Sequence, residues 1–159
     1  MQVELRALTP TDKGALMDFH ERCSDRTHYF RFFTGGKKFL RPDEAEKLCD
    51  VNQHERGAFV AVELGHPEII HAVGRWCGID KERAEIAFVV EDSFQKRGIG
   101  RWMFTAVMRS VKSLGYRKMT GDVLAENRGM RHLNRTCGCP LTEHNAGYGD
   151  VEFEIDLYG

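Results

Sequence analysis

Residues 95–101, Gln95-Lys96-Arg97-Gly98-Ile99-Gly100-Arg101, combine two glycines with three cations and no anion. They follow a near-continuous apolar run from Ile86 to Val90 and open an amphipathic helical pattern from Ile99 to Leu114. A strand that feeds a glycine loop and then a helix can bind a diphosphate. Gly98 and Gly100 let backbone N–H groups approach an anion with no Cβ in the way. The helix starting there aims its unpaired amides and the positive end of its dipole at the same point. Lys96, Arg97 and Arg101 add positive side chains around that nest. The same Gly-x-Gly spacing also fits an ordinary strand-to-helix turn, so the neighbouring residues carry the decision.

Two other phosphate loops do not fit. A Walker A loop requires Gly-Lys-Ser/Thr after its first glycine and four spacers, and the chain has none. A dinucleotide fingerprint requires a third small residue where Met103 stands, and an acidic residue about 20 positions on. Asp122 lies near that distance, so the exclusion rests mainly on the bulk of Met103.

The elements that must position the loop are read from periodicity. Val3, Leu5 and Ala7 alternate as a first strand, and Pro10-Thr11-Asp12 starts a helix carrying Leu16, Met17 and Phe19. A helical turn follows at Ser24. The aromatic segment Tyr29 to Phe33 closes a short helix before Gly35-Gly36, and Pro42 opens another helix through about Asp50. Strands at Ala58–Glu63, Ile69–Cys77 and Ala84–Glu91 form an antiparallel meander. Then come the helix Ile99–Leu114 stopped by Gly115, a strand Met119–Leu124, a helix Glu126–Thr136 and a last strand through Val151, Phe153, Ile155 and Leu157. The order reads β-α-α-β-β-β-α-β-α-β, without repeat, linker or low-complexity segment.

Within this order, Glu85-Ile86-Ala87-Phe88-Val89-Val90, the Q-x-x-G-x-G loop at Gln95 and Val123-Leu124-Ala125-Glu126-Asn127-Arg128 resemble the GNAT superfamily of N-acetyltransferases. In that family a Q/R-x-x-G-x-G/A loop after the fourth strand holds the pyrophosphate of acetyl-CoA. The entry segment Ser24 to Phe33 resembles bacterial Pat-type protein lysine acetyltransferase domains. The resemblance implies one α+β domain over residues 1–159, a mixed three-layer α/β arrangement. Its central, mostly antiparallel mixed sheet is flanked by helices and splayed between strands 4 and 5.

The resemblance also implies roles. Glu85, near the start of the fourth strand and about ten residues ahead of Gln95, is the general base. Its apolar neighbours Ile86 and Phe88 suit a carboxylate raised towards neutrality, although a solvated strand-end glutamate fits the same residues. The backbone of Phe88, Val89 and Val90 pairs with the pantetheine arm, and their side chains equally fit the core. Gln95, Lys96, Arg97, Gly98, Ile99, Gly100 and Arg101 hold the pyrophosphate. Asn127, with Met130 behind it, reads both as a pantetheine contact and as a plain helix N-cap. The family's general-acid tyrosine is replaced by Asn134 and the aromatic after the glycine by Cys139, so the leaving thiolate is protonated by water. Tyr29, Arg31 and Phe33 are candidates for the acceptor opening, and His28, His54, His71 and His144 for the acceptor site or a second base.

Composition bounds the partners. A net charge of −1 in 159 residues argues against a nucleic-acid partner. No 18-residue apolar run or signal-like start is present, so the reading is a cytoplasmic protein with no membrane partner. Five cysteines without a framework spacing read as reduced, mostly buried thiols. No histidine pairing suits a metal. The co-substrate is acetyl-CoA and the acceptor an amine, foremost a protein lysine. A small amine, or a non-catalytic acyl-CoA-binding module, is the alternative, and a homodimer is left open.

Overall fold

The computed structural model describes residues 2–32 and 40–159, with the side chains of Tyr29, Arg31 and Phe32 outside the description. Seven strands, β1 (Val3–Ala7), β2 (Arg56–Glu63), β3 (His66–Gly78), β4 (Arg83–Val90), β5 (Lys118–Leu124), β6 (Leu141–Gly147) and β7 (Asp150–Asp156), form one sheet in the order β1-β2-β3-β4-β5-β7-β6. The helices are α1 (Lys13–Arg22), α2 (Asp25–Phe32), α3 (Pro42–Cys49), α4 (Ile99–Ser113) and α5 (Arg128–Arg135), with 3₁₀ turns at Pro10–Asp12 and Asp92–Phe94. Two corrections follow. Among the described residues three α-helices, rather than the two of the expected element order, separate β1 from β2, because Ser24 caps α2 through Thr27 N and Pro42 begins α3 independently. β6 is an additional strand. It has one apolar residue at its start and is exposed over most of its length, so no alternation marks it.

Every pairing is antiparallel except that of β4 with β5. Alternation along the strands builds two cores. Val60, Val62, Ile70 and Val73 face Leu16, Phe19, Ala45 and Cys49 of α1 and α3. Trp76, Ile86, Val123, Phe153 and Ile155 face Phe104, Val107 and Val111 of α4. The result is helices, sheet, helices in three layers.

The ladder between β4 and β5 holds three rungs, Arg83↔Lys118, Ala84↔Met119 and Glu85↔Thr120, and ends there. β4 stays paired with β3 through Ala72↔Val90, so from Ile86 onward its other edge faces an opening rather than a strand. Near the point of divergence lies the Phe153 ring. A Cβ on Gly121 would be 2.6 Å from Phe153 Cζ, so only glycine lets that ring occupy the place.

Candidate active site

The loop after β4 is built for backbone exposure. Lys96 and Gly98 both have left-handed backbones (φ 60° and 86°), which turns the chain so that residues 95–98 lie at the surface while Ile99 is buried. Gly98 is the N-cap of α4, a position where a Cβ would be strained. Around it, Arg97 lies over Phe94 with its guanidinium carbon 5.4 Å from the ring centroid. Arg101 donates to Thr136 Oγ1 at 2.6 Å. Gln95 faces inward: Nε2 donates to Val90 O at 2.9 Å and to Thr27 Oγ1 at 3.1 Å, bracing the loop against β4 and α2.

The opening between β4 and β5 is a cavity of about 200 Å³ lined by Phe30, Glu85 to Phe88, Asp122, Val123, Asn127, Met130 and Phe153. Three of the sequence candidates, Glu85, Asn127 and Met130, thus meet in one place with the Phe88 end of the β4 edge. Val89 and Val90 direct their side chains into core packing and have only backbone to offer. Asn127 caps α5, accepting from Met130 N at 3.2 Å. Glu85 is exposed, on the face of the sheet that α2 crosses. Residues 85–87 line a second hollow of about 260 Å³, which continues past Arg75, Trp76 and Cys77 to Lys47, Asp50 and Arg56. A larger hollow of about 450 Å³ beneath the β6–β7 hairpin shares no lining residue with the wedge.

Sequence reasoning did not select Asp122 or the Ser24–Asp92 contact. Asp122 shares the sheet face of Glu85. Burial, with Asp150, Glu152 and Glu85 around it, raises its carboxyl above the ordinary range. The signal was present as the Thr120/Asp122 alternation of β5. Asp92 accepts from Ser24 N (2.8 Å), Ser24 Oγ (2.6 Å) and Thr27 Oγ1 (3.0 Å), fixing the start of α2 to the loop. Burial would raise its pKa, but these bonds outweigh that and hold it below the ordinary value.

The histidines divide. His28 is buried, stacked on His20 with centroids 4.2 Å apart, and donates from Nε2 to His20 O at 2.7 Å. His71 is buried between Glu91 (3.1 Å) and Glu63 (3.3 Å) and stacks on Phe94. His144 is exposed on β6, opposite Glu152, and His54 offers its backbone O to Trp76. None of the four lines the wedge. Phe33 and Gly35-Gly36 lie outside the described residues, and of Tyr29 and Arg31 only the backbone is described.

The cysteines correct the sequence reading. All five are free, but only Cys23 and Cys49 are buried, because Cys77 ends on the exposed side of β3 and Cys137 and Cys139 sit at the half-covered end of α5. Burial pushes the Cys23 thiol up to about 12. Among the described residues no group of three His, Cys, Asp or Glu side chains could hold a metal ion, and no helix is long and apolar enough to cross a membrane.

Comparison with known proteins bears on this geometry directly. The acetyltransferase (GNAT) domain family matches residues 2–140. The chain belongs to the GNAT acetyltransferase family. A GNAT relative, acetyltransferase Pat from Mycolicibacterium smegmatis, is 29% identical over 157 residues, covering 96% of this chain and 45% of the relative. The chain therefore spans less than half the length of that protein. The GNAT domain of S. lividans PAT superposes with a TM-score of 0.85 at 24% identity, over 97% of this chain and 90% of that one. A spermidine N-acetyltransferase from Vibrio cholerae, solved with CoA and spermine, superposes at 0.74 with 20% identity, over 99% and 96%. The GNAT fold and the splayed sheet implied by the sequence are those of the structure.

Proposed function

We propose that this chain transfers the acetyl group of acetyl-CoA to the ε-amine of a protein lysine, with Glu85 as general base. The observation that carries the reading is the position of Glu85 on both hollows: the wedge on one side and the groove towards α3 on the other. A group there reaches a donor in the wedge and an acceptor in the groove.

The residues fit acetyl-CoA. The α4 N-terminus and the backbone amides of the exposed residues 96–98 suit a diphosphate, with Lys96, Arg97 and Arg101 as cations. The open edge of β4 from Ile86 to Val90 suits an extended amide-bearing arm, which would pair there as a strand does. Lysine at neutral pH is almost wholly protonated, with a reference pKa of about 10.4. Glu85 takes that proton, directly or through a water. The freed nitrogen lone pair attacks the thioester carbonyl, whose oxygen a backbone N–H of the wedge polarises. Collapse breaks the C–S bond and releases a thiolate, and the second proton leaves the nitrogen through water, which delivers a proton to that thiolate as the neutral amide forms.

The groove supports a peptide acceptor. Among the described lining residues its one carboxylate besides Glu85 is Asp50, which lies 3.7 Å from Arg56, and Lys47 and Arg75 add further positive charge. A small polyamine needs several carboxylates in a closed pocket. A second reading, a small polyamine, is favoured by Asp122 beside Glu85 in the wedge, and the Vibrio cholerae relative was solved with spermine.

The deciding experiment follows thiol release from acetyl-CoA with lysine peptides, proteins and small amines, for wild type and Glu85→Gln. Release with peptide or protein, reduced about 10²–10⁴-fold in the variant while acetyl-CoA still binds, supports the proposal. Release with small amines alone moves the assignment to the second reading. Tight binding without release from any amine leaves an acyl-CoA-binding module.

A further inference from the structure

Two of the five cysteines, Cys137 and Cys139, stand on either side of a single glycine in the turn that joins α5 to β6. Both are half-buried, whereas Cys23 and Cys49 are enclosed and Cys77 is exposed on β3. Cys137 Sγ lies 3.2 Å from Asn134 O and 3.9 Å from Cys139 O, and the two thiols are within hydrogen-bonding reach of each other.

Gly138 makes that approach possible. Its backbone is left-handed (φ 86°) and a Cβ on it would meet nothing within 4 Å, so glycine serves the bend here and not the packing. A left-handed residue folds two Cα steps of about 3.8 Å into a span of about 5.5 Å, inside the range of about 4.4–6.8 Å that a disulfide accepts. The turn is held on both sides. Thr136 N donates to His132 O at 3.0 Å before it, and Asp156 N donates to Pro140 O at 3.0 Å after it. A ring closed across one residue is strained, and strained, accessible disulfides are those that reduce readily.

We infer that Cys137 and Cys139 are a reversible dithiol–disulfide pair, a modification site that takes a low-molecular-weight disulfide as its oxidant. Neither acetyl-CoA nor an amine acceptor takes part. Burial, and next the Cys137 thiol, raise Cys139 above the ordinary thiol range against the pull of Lys112, which makes Cys139 the slower nucleophile. Cys137, as its thiolate, attacks one sulfur of the oxidant, forming a mixed disulfide and releasing one thiolate. Cys139 loses its proton to water and attacks the Cys137 sulfur, closing the ring and releasing the second thiolate. The two protein thiols are oxidised, the S–S bond of the oxidant is reduced to two thiols, and the protons of Cys137 and Cys139 end on those thiols.

The test incubates the folded protein with glutathione disulfide and glutathione at graded ratios, traps free thiols with N-ethylmaleimide and maps the tryptic digest by mass. No Lys or Arg follows Arg135, so residues 136–159 leave as one peptide holding both cysteines and no third. The expected peptide carries no maleimide, is lighter than its dithiol form by about 2 Da, the two hydrogens removed, and regains two labels after added glutathione. Cys77, exposed and alone, takes up glutathione in the same sample and reports that the oxidant reached the protein. A peptide that keeps two maleimides at every ratio while Cys77 is modified overturns the inference, as does one that stops with glutathione attached or joins a second chain. Cys139→Ser separates the steps: glutathione should stay on Cys137, and its absence there overturns Cys137 as first nucleophile. Should the serine prevent folding, the wild-type digest alone decides.

Discussion

Gln95 donates from Nε2 to Thr27 Oγ1 at 3.1 Å, joining the glycine loop to the first turn of α2. The glutamine of the Q-x-x-G-x-G pattern thus braces the loop against α2 and the end of β4.

Removing either partner loosens the same joint. Gln95→Ala and Thr27→Val are each expected to destabilise by about 1 kcal/mol and to raise the KM for acetyl-CoA several-fold. The double variant should fall short of the sum, with a coupling of about 0.5 kcal/mol or more. Denaturant melts and a double-mutant cycle check this, and strict additivity would show that the contact transmits nothing.

The two glycines of the loop separate by backbone. Gly98 has φ 86°, so Gly98→Ala is expected to cost about 1–2 kcal/mol from strain alone, since its new Cβ would meet nothing within 4 Å. Gly100 lies in the first turn of α4 without a positive φ, and its Cβ would be in ordinary contact with Leu133. Gly100→Ala should hold or raise the melting temperature through helix propensity, yet weaken acetyl-CoA binding by covering the amides. Calorimetric melts paired with titrations distinguish the two.

Asp92 and Asp122 respond to pH with opposite signs. Asp92 is held below the ordinary carboxyl range, so its contribution is present above the unfolded value of about 3.9 and is lost as pH falls through the lower folded value. Asp92→Asn should cost about 1 kcal/mol at pH 7, and the difference from wild type should close at strongly acidic pH. Asp122 is raised, so its ionisation favours the unfolded chain above about pH 3.9. Asp122→Asn should stabilise at pH 7 by less than about 1 kcal/mol, given its exposure, and the gain should vanish below about pH 4. Melting curves across pH 3–8 read both, and parallel curves for either variant would contradict its assigned sign.

What was legible in the sequence was whatever has two-residue or helical apolar periodicity. Ile99, Met103, Val107 and Val111 announce α4, and Val151, Phe153 and Ile155 announce β7, because each buries one face. β6 was invisible for the converse reason: beyond Leu141 its side chains are mostly exposed and leave no apolar pattern. Glu85, Asn127 and Met130 stood out through motif spacing and do share the wedge. Asp122, Phe30 and Phe153 reach it only because β5, α2 and β7 come together there, which no local spacing encodes.

The three-rung ladder between β4 and β5 also governs how the molecule holds together. β1–β4 is a meander of neighbours in sequence, β5–β7 a second antiparallel set, and α4 packs chiefly on the first. The sheet thus has a fault line, and the candidate site lies along it. An acyl donor seated in the wedge would splint the two halves, so part of its binding free energy would appear as cohesion between them.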